Sequence, residues 1–351
     1  MEIRLENGIP IGDGHPTFVI AEVGSNWHTL DDCVTSIHSA KKHGADAVKF
    51  QYYTWNCLYG PIRTMDGYKE YELERTCLDP DWLPILKIEC MKLNMEFMCT
   101  AFSPMGLQIV NQYVNINKLA SSEITHVQMI DQMIRFQKPF IFSTGALQMS
   151  SDGFQQCAKI IIRAHEGGNR NAIPMYCVGS YPAKVIDLKV ISLLKEKCKT
   201  MVGYSDHSID VLNIPDMACD MYGASILEKH VNFVGVEDTP DAPHSISGAE
   251  FGMMVENLKT NVTKMIYEDV NQEDMYTTHR RRLVAIKPIE KGERLYLNNN
   301  YGVYRSLKKD QISSFDMYKY AEPNGMFLNT SKVIGDSISA MDICQENPTV
   351  Q

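Results

Sequence analysis

A (β/α)8 TIM barrel followed by a small C-terminal β-rich domain is the fold class this sequence predicts, and three observations predict it. Eight short β-rich segments occupy the first two thirds of the chain, and each ends in polar residues. Most are followed by an amphipathic stretch, and a repeated strand-then-helix order makes the strands parallel. Beyond a polar, aperiodic stretch the pattern changes to short alternating runs separated by turn residues. In a closed barrel the carboxyl ends of the strands converge on one mouth, so the polar tips of distant segments share a pocket.

The expected strands are 18–23, 47–53, 96–102, 118–123, 140–144, 173–178, 201–205 and 224–231. They are rich in Val, Ile and Phe and mostly lack the clean alternation of a one-sided sheet, as parallel strands covered on both faces do. Between them, LDDCVTSIHSAKKHG, DWLPILKIECMKLN, HVQMIDQMIRFQK and DGFQQCAKIIIRAHEGG show helical spacing, and two of these close at glycine. Period alone does not separate a closed barrel from an open doubly wound sheet, which is the structural alternative. The connection 54–80 is far longer than the roughly 2–6 residues of an ordinary strand-to-helix loop. Its Trp55, Tyr59, Arg63, Tyr68 and Arg75 suit a folded lid. A helix is expected at 248–267, ending the barrel domain 1–267; a linker follows at 268–280 and a β-rich domain at 281–351.

The chain has 351 residues, which exceeds the usual barrel by about one small domain. A hydrophobic content of 44% and a formal charge of -9 describe an acidic globular protein without the basic stripe that nucleic acid requires. No apolar run approaches the roughly 20 residues of a membrane span. The start MEIRLENGIP lacks the apolar core of a signal peptide, so the expected location is cytoplasmic, with no membrane partner. Ten scattered cysteines without CxxC pairs then read as reduced thiols.

The polar tips supply the chemistry. His207 and His230 end the seventh and eighth expected strands, neighbours in a barrel, where they could hold Mn2+ or Mg2+ beside Asp206 and Glu228. Two hydrogen-bonded core histidines are the alternative. Lys49, Thr100, Lys118, Ser121, Ser143 and Ser205 place ammonium groups and hydroxyls where an anion needs them. Equally, Lys49 or Lys118 could be the Schiff-base lysine of an aldolase. Glu22 and Glu123 suit proton transfer or the orientation of a sugar hydroxyl, unless they pair with Lys49 or Lys118. Gln51 and Tyr181 are further polar tips, and DTPDAPHSIS adds Asp241 and His244 on a loop that is otherwise an ordinary surface turn.

IAEVGSN, DAVKFQ, CTAFS, KLASSEI, PFIFSTG, CVGSYPA, VGYSDHS and ILEKH occur in the order and at the approximate spacing of the sialic acid synthase family. The resemblance spans the barrel and continues into RRLVAIKPIEKGERL, which is similar to the start of that family's SAF (antifreeze-like) domain. It implies a transferase that condenses phosphoenolpyruvate with an N-acetylated hexose such as N-acetylmannosamine and releases phosphate. Legionaminate or pseudaminate synthesis from a 6-deoxy di-N-acetyl hexose is the near alternative, and a non-catalytic sugar-binding barrel the distant one.

Carried over by position, Lys49, Thr100, Lys118, Ser121, Ser143 and Ser205 match phosphoenolpyruvate contacts. His207 and His230 match the metal ligands, with Mn2+ the usual ion and Mg2+ or Co2+ as alternatives. Gln51, Glu123, Tyr181 and Asp241 match positions facing the amino sugar, and Glu22 a carboxylate near the reacting atoms. Arg305 resembles an arginine that reaches into the partner subunit's barrel, which implies a domain-swapped homodimer. Gly179 and Ser180 stand where the family commonly has Asn before Tyr-Pro, and Trp27-His28 replaces its His-x-Gly.

Overall fold

The computed structural model describes residues 2–60, 74–260, 281–305 and 326–344. A short antiparallel hairpin, β1 (Glu2–Arg4) and β2 (Pro10–Gly12), comes first. Eight parallel strands follow: β3 (Phe18–Gly24), β4 (Ala47–Tyr52), β5 (Glu96–Ala101), β6 (Asn117–Leu119), β7 (Phe140–Ser143), β8 (Ala172–Cys177), β9 (Gly203–Asp206) and β10 (Ile226–Asn232). Each pairs with the next, and β10 also pairs with β3, from Ile226 opposite Phe18 to His230 opposite Glu22. That last pairing closes the barrel and excludes the open sheet.

Both faces of these strands are buried, which is why they read as near-continuous apolar runs. Outward residues such as Val19, Ala21, Val48, Phe50, Phe97 and Phe142 join a large core with the surrounding helices. Inward residues at the amino end, including Ile20, Met98, Ile116, Ile141, Ile173 and Ile226, form a separate cluster closed below by Ile3, Leu5 and Ile11 around the hairpin. All four expected helices form, as Leu30–Lys42, Leu83–Lys92, Val127–Phe136 and Ser151–Glu166. Thr29 starts the first with a capping box to Asp32, and Lys41 and Lys42 sit in its last turn, where the helix dipole favours cations.

Most strand ends fall within two residues of expectation, but one strand is much shorter. β6 stops at Leu119, and Ser121–Glu123 forms a 3-10 turn, since short polar side chains bond locally and favour turns over ladders. After β10 come β11 (Ile246–Ser247) and a helix, Gly248–Thr260. The remainder of the expected 248–267 helix, the linker 268–280 and loop residues 61–73 lie outside the described residues. The short helix Trp55–Tyr59, capped by Thr54, opens that loop.

β12 (Arg281–Ala285) and β13 (Tyr301–Arg305) form an antiparallel pair, as do β14 (Phe327–Leu328) and β15 (Ile343–Cys344). They enclose their own apolar cluster of Leu283, Ile289, Leu295, Tyr301, Leu328 and Ile338. Among the described residues, no helix is long and apolar enough to cross a membrane.

Candidate active site

Strand register assembles the mouth. Glu22 lies opposite both Lys49 and His230, Thr100 opposite Gln51 and Lys118, and Glu228 opposite Ser205, so these side chains share the barrel's inner face. Lys49 Nζ contacts Glu22 at 2.7 Å and Glu228 at 3.5 Å, and donates to Thr100 Oγ1 at 3.0 Å. Lys118 Nζ reaches the other oxygen of Glu228 at 3.2 Å, which also accepts from Ser205 Oγ at 2.9 Å. Gln51 Nε2 donates to Glu22 at 2.8 Å.

Two ammonium and two carboxylate groups are therefore buried together, each compensating a desolvation cost that is several kcal/mol per isolated ion. Burial pushes the Glu22 carboxyl up to about 7, more than Lys49 beside it can offset. Burial also pushes Glu228 upward, but Lys118 and Lys49 together outweigh it and hold that carboxyl well below the usual range. The Lys118 ammonium is lowered, chiefly by burial.

The imidazoles stand at the rim. His207 Nδ1 lies 2.6 Å from the carbonyl of Val178, which can only accept, so the proton sits on Nδ1 and Nε2 keeps its lone pair 3.3 Å from Ser205 Oγ. The His207 and His230 rings are 5.6 Å apart, with Tyr181 stacked on His207 at 4.1 Å. Burial lowers both, His207 far below its ordinary value and His230 to about 4. Both are neutral at neutral pH, the form that binds metals.

His230 Nδ1 is buried without a hydrogen-bond partner, 3.9 Å from Asp241 Oδ1. Lone pairs on buried, neutral imidazoles beside a carboxylate fit a divalent cation. Asp241 is itself fixed, its Oδ2 accepting from Ser25 N at 2.7 Å and Ser25 Oγ at 2.8 Å. Gly24, at φ +58°, lets this approach happen, because a Cβ there would run into the Asp241 carboxylate.

Most of the expected residues line one cavity: Glu22, Lys49, Gln51, Thr100, Lys118, Ser121, Ser143, Tyr181, Ser205, His207, His230 and Asp241. Ser143 Oγ is buried there with no partner, a donor awaiting an acceptor. One expected residue, Glu123, is not among the lining residues. Arg305 ends β13, and its side chain lies outside what the structure describes.

Glu123 points away from the cavity, and the expectation that it faces the sugar or pairs with Lys49 or Lys118 is corrected. Its turn directs Ser121 inward, while the Glu123 carboxylate, fully buried, takes a 2.6 Å bond from Arg281 Nε. Arg281 also donates to the carbonyls of Cys57 and Phe102, both at 2.6 Å, tying β12 to the rim. Asp206 likewise turns outward, out of phase with Ser205, and binds Lys229 at 2.7 Å; it does not stand beside the imidazoles. Sequence reasoning missed Ser25, Tyr53, Leu58, Phe102 and Ser122 in the lining, where Tyr59 of the expected lid also stands. Ser25 within IAEVGSN, Phe102 within CTAFS and Ser122 within KLASSEI each carried a signal.

Fold and site together define a closed barrel whose mouth gathers ammonium, hydroxyl, carboxylate and imidazole groups in one cavity. Residues 36–269 match the sequence profile of the NeuB family, and the chain belongs to that family. Pseudaminic acid synthase of Helicobacter pylori is 30% identical over 306 residues, covering 81% of this chain and 87% of that protein. N,N'-diacetyllegionaminic acid synthase of Legionella pneumophila is 27% identical, covering 73% and 75%. The crystal structure of the spore coat polysaccharide biosynthesis protein SpsE of Bacillus subtilis superposes with a TM-score of 0.82 at 23% identity, covering 98% of this chain and 99% of that one.

Proposed function

We propose that the protein is a nonulosonic acid synthase that condenses phosphoenolpyruvate with an N-acylated hexose and releases phosphate. The observation that carries this reading is a single cavity holding Lys49, Lys118 and the unpartnered Ser143 hydroxyl beside two neutral imidazoles. The names of the pseudaminic and legionaminic acid synthases support the product class. They favour a diacylated 6-deoxy hexose as strongly as N-acetylmannosamine.

The chain's own residues take the following roles. Lys49, Lys118, Thr100, Ser121, Ser143 and Ser205 bind the phosphate and carboxylate of phosphoenolpyruvate by charge-assisted hydrogen bonds. Gln51, Tyr181 and Asp241 face the sugar. C3 of phosphoenolpyruvate bonds to the aldehyde carbon of the open-chain sugar, whose oxygen takes a proton. Water adds at C2 and gives up a proton, and the C2–O bond to phosphate breaks. Glu22, half ionised near neutrality, moves a proton at this step. His207 and His230 would hold Mn2+, with Mg2+ or Co2+ as substitutes, and the bound cation supplies Lewis-acid polarisation of the aldehyde. A Schiff base at Lys49 is disfavoured, because Glu22 and Glu228 outweigh the effect of burial and raise its pKa.

The same proposal includes a C-terminal SAF domain at 281–351, a homodimer in which Arg305 serves the partner's site, and a cytoplasmic setting. Ten free cysteines support the last. The test combines purified protein, phosphoenolpyruvate, Mn2+ and a panel of N-acylated hexoses, with phosphate release and product mass as readouts. Release that needs both cation and sugar is expected. Equal release after chelation, or a product without the added three-carbon unit, overturns the reading.

A further inference from the structure

We propose that the loop after β10 contributes two cation ligands, Asp241 and His244, which bind together with His230. The inference rests on the synthase reading for the presence of a cation and goes beyond the His207–His230 pair. One potential ligand atom from each of His230, Asp241 and His244 lies within 4.8 Å of the others, a spacing that small side-chain shifts turn into a coordination shell.

The orientation of the carboxylate is specific. Ser25 occupies Asp241 Oδ2, while Oδ1 points between the two rings, 3.2 Å from His244 Nε2 and 3.9 Å from His230 Nδ1. Oδ1 is hydrogen-bonded to His244 Nε2, the other candidate ligand, so a cation would take the place of that bond while Ser25 supports Oδ2, as partners of ligating carboxylates do. The second observation is independent: His230 is 6% exposed, and its Nδ1 has no hydrogen-bond partner. A buried polar atom in that state is destabilising unless something fills it.

The loop is held in place for this role. Asn26 Nδ2 donates to Ser245 Oγ at 2.7 Å, and Asn26 Oδ1 accepts from Thr239 Oγ1 at 2.9 Å, so a buried asparagine on the first strand's loop pins both sides of the Asp241–His244 turn. Tyr181 stands against His207 at 4.1 Å and against His244 at 4.4 Å.

The test uses the full chain with Mn2+ alone, followed by electron paramagnetic resonance titration and pulsed measurement of imidazole nitrogen couplings. His244→Gln and Asp241→Asn are each expected to weaken Mn2+ binding at least about ten-fold, as loss of a ligand's support does. His38→Gln, on the outer surface, is the control and binds as wild type. His207→Ala is expected to retain couplings from two imidazoles. Unchanged affinity in His244→Gln, or one imidazole coupling in His207→Ala, overturns the three-residue site while leaving a cation bound. Absence of Mn2+ binding by the wild type overturns both this site and the cation in the synthase reading. Should His244→Gln fail to fold, the imidazole count in wild type and His207→Ala still decides.

Discussion

The two ends of the barrel are made from the same strands and do opposite things. At the amino end the inward residues are Ile20, Met98, Ile116, Ile141, Ile173 and Ile226, an apolar floor sealed by the N-terminal hairpin. Two residues further along those strands the inward positions become Glu22, Thr100, Lys118, Ser143 and Glu228, lining the cavity. Burial stabilises the floor, whereas at the mouth it costs free energy that ion pairs must offset. A strand can thus carry stability and chemistry a few ångströms apart, because its inward positions are apolar at the floor and ionic or hydroxylic at the mouth.

Substitutions can break this division of labour. The largest effect is expected from Lys118→Met, which removes an anion donor and leaves Glu228 less compensated. Phosphate release should fall about 10²–10³-fold in kcat/KM, as loss of one preorganised donor does. At the floor, Ile141→Ala should lower stability by about 2–5 kcal/mol in urea unfolding, as large-to-small core changes do. The KM for phosphoenolpyruvate should stay within two-fold of wild type.

The pH dependence of stability separates the ends further. His230 titrates at 6.5 in its ordinary state and near 4 when buried, so between these values the unfolded chain binds a proton that the folded chain refuses. Stability should therefore fall as pH drops from 6.5 towards 4, by about 1.4 kcal/mol per pH unit for this group, and then level off. His230→Gln should remove one proton's share of the slope and leave those of His207 and His126, whereas Ile141→Ala should shift the curve without changing it. Smallest is Gly24→Ala, expected to cost about 1–2 kcal/mol for a left-handed residue with a side chain. By displacing Asp241, it should also weaken Mn2+ binding in the same titration.

Much of this was legible in the chain itself. Apolar runs with polar tips reveal the strands, and the tips reveal the mouth, since both arise from local sequence. Closure was not legible, because it depends on β10 meeting β3 across more than half the chain. Phase explains Asp206: alternation puts Ser205 inward and its neighbour outward, where Lys229 from β10 meets it. Glu123 was beyond reach, as its partner Arg281 comes from the C-terminal module 158 residues away. His244 looked like part of a surface turn because its pinning by Asn26 is a long-range contact.

Calorimetric titration of phosphoenolpyruvate into wild type, Lys118→Met and Ile141→Ala tests the central claim most directly. Wild type and the folded fraction of Ile141→Ala should bind with affinities within two-fold of each other, while Lys118→Met should lose at least about ten-fold, the worth of one charge-assisted contact. Undiminished binding by Lys118→Met, or an equal loss in Ile141→Ala, would contradict the assignment of the anion to the carboxyl-end mouth.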